Sequence, residues 1–185
     1  MKFTMAGFWM LAISALPAVA ADGDLAKREW VEDMMRRIPF RDGIFDKDAL
    51  VSRSQSYLDT LVSHYRQIGQ QPRRRAEQAG DAFKIHEIDS RTERLIGNAT
   101  TYVKTTADGM AATLDPEGAG NVGKKDAARR LMELADKADG DGNGVLDRYE
   151  AAIAEAAFAK GVDLATPGAE ASLRRELERT SSYWN

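Results

Sequence analysis

The 185-residue sequence predicts an all-α protein in which an N-terminal helical hairpin or bundle precedes a compact pair of helix-loop-helix units and a C-terminal helix. Apolar residues recur three and four positions apart over most of the chain, which is the spacing of one face of a helix. Alternating runs rich in Val, Ile and Thr, which are typical of half-buried strands, are missing. Segments that contain Gly or Pro separate the periodic stretches and indicate where helices end.

Residues 1–20 have the pattern of a secretory signal peptide. Lys2 precedes an apolar run from Phe3 to Leu16, and Ala18-Val19-Ala20 is a small-x-small cleavage signal. We therefore expect cleavage after Ala20 and a periplasmic or secreted bacterial protein. An uncleaved membrane anchor is the alternative, but the apolar run is short for a spanning helix, so we expect no stable membrane span after cleavage.

The composition argues against a nucleic-acid partner and against a fold held together by disulfide bonds. A formal net charge of −3 is too balanced to indicate nucleic-acid binding. The chain has no cysteine and hence no disulfide framework, which agrees with a bacterial periplasm or medium better than with a small stapled secreted domain. Hydrophobic residues make up 43% of the chain, which allows a packed core.

Residues 21–106 are predicted to form a helical bundle of unknown role. Its first helix runs over 24–38, with Asp24 as the cap and Pro39 as the end. Trp30 and Met34 lie on the apolar stripe of this helix, which favours a core face over the alternative of a partner-binding face.

Two longer helices are expected to follow a turn through Asp42-Gly43. The first is capped by Asp46 or Asp48 and ends near Gln70, because Pro72 interrupts the helical pattern. The second is expected over 74–106, with Gly80 or Gly97 as a point of interruption. We expect these helices to form an antiparallel hairpin that the first helix closes.

The stretch from Asp139 to Glu150 has the spacing of a metal-binding loop. A hard divalent cation takes six to eight oxygen ligands, and this dodecapeptide offers oxygens mainly at alternate positions. Gly144 is sixth, where the backbone must turn sharply around an ion. The expected ligands are Asp139, Asp141, Asn143, the carbonyl of Val145, Asp147 and Glu150.

This loop and its flanks resemble the EF-hand family of helix-loop-helix calcium-binding proteins. The apolar spacing predicts an entering helix over 126–138 and an exiting helix over 147–160 that stops at Gly161. The resemblance implies Ca²⁺ as the cofactor, and EF-hands usually occur in pairs. We therefore interpret residues 107–161 as an EF-hand pair like those of bacterial exported tandem EF-hand proteins.

The partner loop is residues 115–126, and it departs from the family pattern. Ala119 supplies no oxygen, Gly123 has no side chain, and Asp126 stands where the family has Glu. We expect a weak or empty loop, since calcium affinity follows the number and charge of the ligands. Its remaining polar candidates are Asp115, Glu117, Asn121 and Asp126. We also expect Asp108-Gly109 to separate the bundle from this pair, and Val122 to pair with Leu146 across a short two-stranded bridge.

Residues 162–185 are predicted to form a final helix and an aromatic tail. Thr166-Pro167 should begin the helix, and Leu173 and Leu177 give it a narrow apolar edge. The tail Tyr183-Trp184-Asn185 either docks on the bundle or offers an aromatic contact to a partner.

Signs of catalysis are few. The chain has no Cys nucleophile, and His64 and His86 have no companion His or Cys for a transition-metal site. We predict an exported, non-enzymatic calcium-binding protein whose ion is regulatory or structural. The first alternative is an envelope-associated helical scaffold or interaction protein, with an unknown protein partner and calcium only as a staple. The second is an enzyme with a calcium-stabilised fold.

Overall fold

The computed structural model describes residues 25–181, with side chains through residue 179. The predicted signal peptide and the tail Tyr183-Trp184-Asn185 lie outside these residues. The described chain is mostly helical, which confirms the all-α fold class. Its elements are β1 (Leu25–Ala26), α1 (Lys27–Arg37), β2 (Phe40–Arg41), β3 (Ile44–Phe45), α2 (Lys47–Gln78), α3 (Ala82–Leu114), α4 (Lys124–Ala138), β4 (Val145–Leu146), α5 (Arg148–Lys160) and α6 (Ala169–Ser181).

The described helices form two parts. Helices α2 and α3 pack along each other as an antiparallel hairpin, each about 50 Å long at 1.5 Å per residue. Helices α1, α4, α5 and α6 form the second part, which we call the head, together with the ends of the hairpin that reach it. The main core lies in the head. Its largest fully buried side chains are Trp30, Leu114, Leu131, Leu146, Ile153 and Phe158.

The first helix belongs to the head. It begins at Lys27 directly after β1, with Ala26 as the N-cap residue and no side-chain cap, so the predicted cap at Asp24 is wrong. Helix α1 packs chiefly against α4 and does not close the hairpin. Trp30 and Met34 are buried in the core of the head, which confirms that this stripe is a core face.

The predicted turn after α1 is present. Strands β2 and β3 form a two-residue hairpin through Asp42 and Gly43, whose φ angles are 53° and 81°. Positive φ at both central positions is typical of the tight hairpin turns that Asp-Gly favours. Asp46 then caps α2 by accepting a hydrogen bond from the Ala49 N–H at 2.8 Å, as the sequence indicates.

The break predicted near Pro72 is wrong, because α2 continues through this proline to Gln78. Contacts with α3 hold the helix on both sides of it: Gly69 approaches Thr92, and Arg73 pairs with Asp89 at 3.1 Å. The turn between α2 and α3 lies at Gly80, with φ of 66°, one of the two glycines named from the sequence.

The separation predicted at Asp108-Gly109 is also wrong. Helix α3 runs without interruption to Leu114, so a boundary between residues 106 and 107 falls inside a helix. A Cβ added to Gly109 would lie 2.3 Å from the carbonyl oxygen of Ala159 at the end of α5. This glycine therefore allows two helices to approach closely and does not end one.

The strand pairings differ from the predicted bridge between the two loops. β4 pairs antiparallel with β1, with Leu146 opposite Leu25, whereas the Phe45 N–H donates to the Val122 carbonyl at 2.8 Å. Val122 and Leu146 do not pair with each other, because the 15 residues of α4 lie between their loops. Such a helix is about 22 Å long, so each loop pairs with an N-terminal segment at its own end of α4.

The remaining helix ends agree closely with the sequence. Helix α5 ends at Lys160 and is capped by Gly161 with φ of 63°. Helix α6 begins at Ala169, two residues beyond Pro167, and buries Leu173 against the head. Between residues 25 and 181, no helix has the combination of length and apolarity that a membrane span requires.

Candidate metal centre

The candidate metal centre is the loop that joins α4 to α5. Helix α4 ends at Ala138, and Asp139 follows as its C-cap residue. Gly142 and Gly144 have φ of 70° and 86°, a backbone region that residues with a Cβ rarely adopt. The sharp turn expected at Gly144 is therefore present, and it returns the chain to β4.

Three of the predicted ligands converge. Asp139, Asp141 and Glu150 each place one carboxylate oxygen within 4.8 Å of the others. Among residues 25–181 these three form the one group of His, Cys, Asp or Glu side chains that meets this spacing. Close carboxylates repel one another, so their convergence requires compensating positive charge or hydrogen-bond donors.

Asp139 is the most buried member of the group, with a side chain only 2% exposed. Its carboxylate accepts hydrogen bonds from the backbone N–H groups of Asn143 at 3.2 Å and Gly144 at 3.0 Å. The ammonium of Lys27 lies 2.9 Å from Asp139 Oδ2. This ammonium, with the Gly144 N–H, holds the pKa of Asp139 below its usual value although burial opposes the shift.

Glu150 connects the two ends of the loop. Its Oε1 accepts from the Gly140 N–H at 2.8 Å, and its Oε2 accepts from the Asp147 N–H at 3.0 Å. Asp147 in turn caps α5 by accepting from the N–H groups of Tyr149 and Glu150, each at 2.7 Å. This reciprocal arrangement is a capping box, which stabilises the start of the exiting helix.

The other predicted ligands hold the loop in shape. Asn143 donates from Nδ2 to Asp141 Oδ2 at 2.9 Å and accepts the Val145 N–H on Oδ1 at 2.8 Å. Val145 also belongs to β4 and lies opposite Ala26 of β1. Asn143 and Asp147 thus direct side-chain oxygens at backbone N–H groups, and neither belongs to the acidic cluster of Asp139, Asp141 and Glu150.

The donor set fits a hard divalent cation. The loop offers carboxylate, amide and carbonyl oxygens, without the thiolate or imidazole ligands that softer metals prefer. Asp139, Asp141 and Glu150 supply three negative charges. This chemistry suits Ca²⁺ better than Zn²⁺ or Cu²⁺.

Lys27 is the residue of the site that sequence reasoning missed. It is the first residue of α1, and nothing in its neighbourhood along the chain indicates a contact with Asp139. The lysine reaches the loop because β1 pairs with β4. A contact between residues so far apart in the sequence has no local signal.

The loop at residues 115–126 has a different arrangement. Asp115 accepts from the N–H groups of Gly120 at 2.8 Å and Ala119 at 3.0 Å, and these bonds lower the pKa of its carboxyl group. Glu117, Asn121 and Asp126 are exposed. Within the described residues, the acids of this loop do not form a second cluster like that around Asp139.

Comparison of the chain with protein families, with curated proteins and with solved structures gives no match. The likeness of residues 139–150 to an EF-hand loop therefore depends on the residues of the loop and on their geometry.

Proposed function

We propose that the chain is an exported calcium-binding protein that holds Ca²⁺ in residues 139–150. The observation that supports this most directly is the convergence of the Asp139, Asp141 and Glu150 carboxylates in a loop whose other donors are oxygens. The pattern of residues 1–20 supports export. The proposed ligands are Asp139, Asp141, Asn143, the Val145 carbonyl, Asp147 and Glu150.

The proposed ion would join α4 to α5. Glu150 already links the first and last turns of the loop through backbone N–H groups, so the ion would strengthen a connection that the chain makes itself. Calcium at about 100 times its dissociation constant would add about 2.7 kcal/mol to the free energy of unfolding. That is a large share of the stability of a small domain.

We favour a structural ion over a large opening motion. Helix α4 buries Ala135 and Ala138 on its inner face beside the loop. Sensor EF-hands open to expose a broad apolar groove, and two alanines leave little apolar surface to expose there. Sites of this kind outside cells bind Ca²⁺ at about 10⁻⁴ to 10⁻³ M, so the affinity decides whether the ion remains bound or responds to its supply.

The test is a calcium titration of residues 21–185 by calorimetry, with the melting temperature followed in parallel. We expect one calcium site. It should be lost in Glu150→Gln, because the ligand loses its charge, and kept in Asp126→Ala, which changes the corresponding last position of the other loop. Magnesium should bind more weakly, because it demands a smaller and more rigid octahedral site.

The outcomes separate the alternatives. Two calcium sites would show that the loop at Asp115 binds calcium as well. Absence of heat and of a melting shift at millimolar calcium would overturn the proposal. The mass of the exported protein tests the proposed export, since cleavage after Ala20 leaves Ala21 as the first residue.

The hairpin favours a second candidate function, that of an envelope-associated scaffold or interaction protein. Beyond the head, α2 and α3 have only each other as partners among the described helices, and Phe83 beside their turn is 80% exposed. In-cell crosslinking tests this function: crosslinked complexes should persist in Glu150→Gln and disappear in Phe83→Ser. Loss of the complexes in Glu150→Gln would instead assign them to the calcium loop.

A further inference from the structure

The ammonium of Lys27 lies between two carboxylates at the start of the loop. Its Nζ is 2.9 Å from Asp139 Oδ2 and 2.7 Å from Asp136 Oδ1. The Lys27 side chain is only 20% exposed, and that of Asp139 is almost fully buried. Of these two acids, Asp139 is the first ligand of the proposed calcium site, while Asp136 precedes the loop in the last turn of α4.

The backbone determines this position. Lys27 directly follows β1, whose pairing with β4 places Ala26 opposite Val145 of the loop. The strand pairing that supports the loop therefore also delivers the lysine to Asp139. The strand pairing holds the backbone beside Lys27, and two ion pairs hold its ammonium, so the side chain stays at the loop.

We propose that Lys27 is a tethered cation that competes with Ca²⁺ for Asp139 and thereby weakens calcium binding by residues 139–150. This inference rests on the proposed function of that loop. The ammonium compensates the buried Asp139 carboxylate when no divalent cation is bound, which preserves the shape of the loop. When Ca²⁺ binds, a second cation must share the same carboxylate with it.

The competition has a physical basis in charge and in geometry. Two cations next to one buried carboxylate repel each other, and the repulsion is stronger near the protein interior than in water. Asp136 offers the ammonium a second partner outside the loop, so Lys27 can release Asp139 without losing every ion pair. The affinity of the site is therefore set jointly by the loop and by a residue of the N-terminal segment.

Lys137 provides the matched control. It lies in the last turn of α4, one residue after Asp136, but its ammonium pairs with Asp163 at 2.7 Å and not with a loop carboxylate. Lys137→Met therefore removes the same charge and the same type of ion pair near the site without freeing Asp139.

The experiment is a calcium titration by calorimetry on residues 21–185 at low ionic strength, for the wild type, Lys27→Met, Lys27→Arg and Lys137→Met. We expect Lys27→Met to lower the dissociation constant by about tenfold, Lys27→Arg to remain near the wild type, and Lys137→Met to change it by less than about threefold. In chelator, Lys27→Met should lower the melting temperature, because it leaves the Asp139 carboxylate without its cation. Tighter binding together with a less stable calcium-free protein is a combination that a purely structural lysine would not produce.

An unchanged or higher dissociation constant in Lys27→Met would overturn the inference while leaving calcium binding intact. Failure of every variant to bind calcium would overturn the proposed function and the inference together.

A second measurement covers the case in which Lys27→Met does not fold. The Nζ resonance of Lys27 in the ¹⁵N-labelled wild type should shift on addition of calcium, whereas that of Lys137 should not. A Lys27 resonance that calcium leaves unmoved, in a protein that binds calcium, would contradict the competition.

Discussion

Gly109 of α3 lies directly against Gly161, the residue that caps α5. A Cβ added to Gly161 would lie 3.2 Å from the Gly109 Cα, and one added to Gly109 would lie 2.7 Å from the Gly161 nitrogen. One turn further along α3, the Thr113 hydroxyl donates to the Phe158 carbonyl at 3.3 Å. Helix α5, which leaves the candidate metal loop, therefore packs directly against the last turns of α3.

Gly109→Ala should destabilise the protein by about 1–3 kcal/mol, because the added methyl group meets the backbone of α5 and one of the helices must move. Gly97→Ala is the control in the same helix. Its Cβ would meet no atom within 4 Å, and alanine should stabilise α3 by about 0.5–1 kcal/mol. Urea unfolding measures both variants. Equal effects of the two substitutions would contradict the close contact.

The two loops should be energetically independent at their apolar positions. Leu146→Ala should cost about 2–5 kcal/mol, because Leu146 is fully buried. In a double-mutant cycle with Val122→Ala the two costs should add within about 0.5 kcal/mol, because α4 separates the sites. The cycle with Leu25→Ala should instead show coupling of about 0.5 kcal/mol or more, since Leu25 and Leu146 lie opposite each other. Coupling between Val122 and Leu146, without coupling between Leu25 and Leu146, would instead support the bridge predicted from the sequence.

Glu155→Gln should stabilise the protein at neutral pH. Burial raises the pKa of Glu155 above its usual value of 4.5, although Arg37 at 3.9 Å opposes the shift. The folded protein therefore holds the Glu155 proton more tightly than the unfolded chain, so the stability linked to this group is present at low pH and is lost as pH rises through the folded pKa. Neutral glutamine should thus raise the urea midpoint at pH 7, and the gain should vanish below about pH 4.

The control for this change is Glu133→Gln. Glu133 is exposed and pairs with Arg129 on the surface of α4, so its replacement should alter stability by less than about 0.5 kcal/mol at either pH. A Glu155→Gln variant less stable than the wild type at pH 7 would show that its pairing with Arg37 outweighs the cost of burial.

Pro72→Ala should stabilise the hairpin. Proline inside α2 removes one backbone hydrogen bond and its ring crowds the preceding turn. Together these cost about 3 kcal/mol in a helix interior, and the restriction of the unfolded chain by proline returns up to about 1 kcal/mol. We therefore expect a gain of about 2 kcal/mol, with slower amide exchange around Ala76. Gln71→Ala is the control, expected to change stability by less than about 0.5 kcal/mol. Faster exchange in Pro72→Ala would mean that the proline supports the helix.

Helix ends were predictable where the signal is local. The cap at Asp46 and the left-handed Gly161 act through a hydrogen bond or backbone angles within four residues. Such signals are contained in the neighbouring sequence, so the turn at Asp42-Gly43 and the limits of α5 could be predicted from it.

The same local signals were misleading where packing opposes them. Pro72 and Gly109 are both helix breakers by propensity, yet each lies inside a continuous helix. Contacts with α3 stabilise the helix around Pro72. The close approach of α5 to α3 requires a glycine at position 109. Propensity is a weak preference that tertiary contacts override.

By itself, the sequence determined the helical class of the protein and the acidic loop from Asp139 to Glu150, because helical periodicity and ligand spacing are properties of neighbouring residues. Only the tertiary structure decided which segments support that loop. Lys27 and Asp136 are 109 positions apart, and their contact exists because β1 pairs with β4. Strand partners and ion pairs at such separation depend on how the whole chain packs, so no local pattern could place Lys27 beside Asp139.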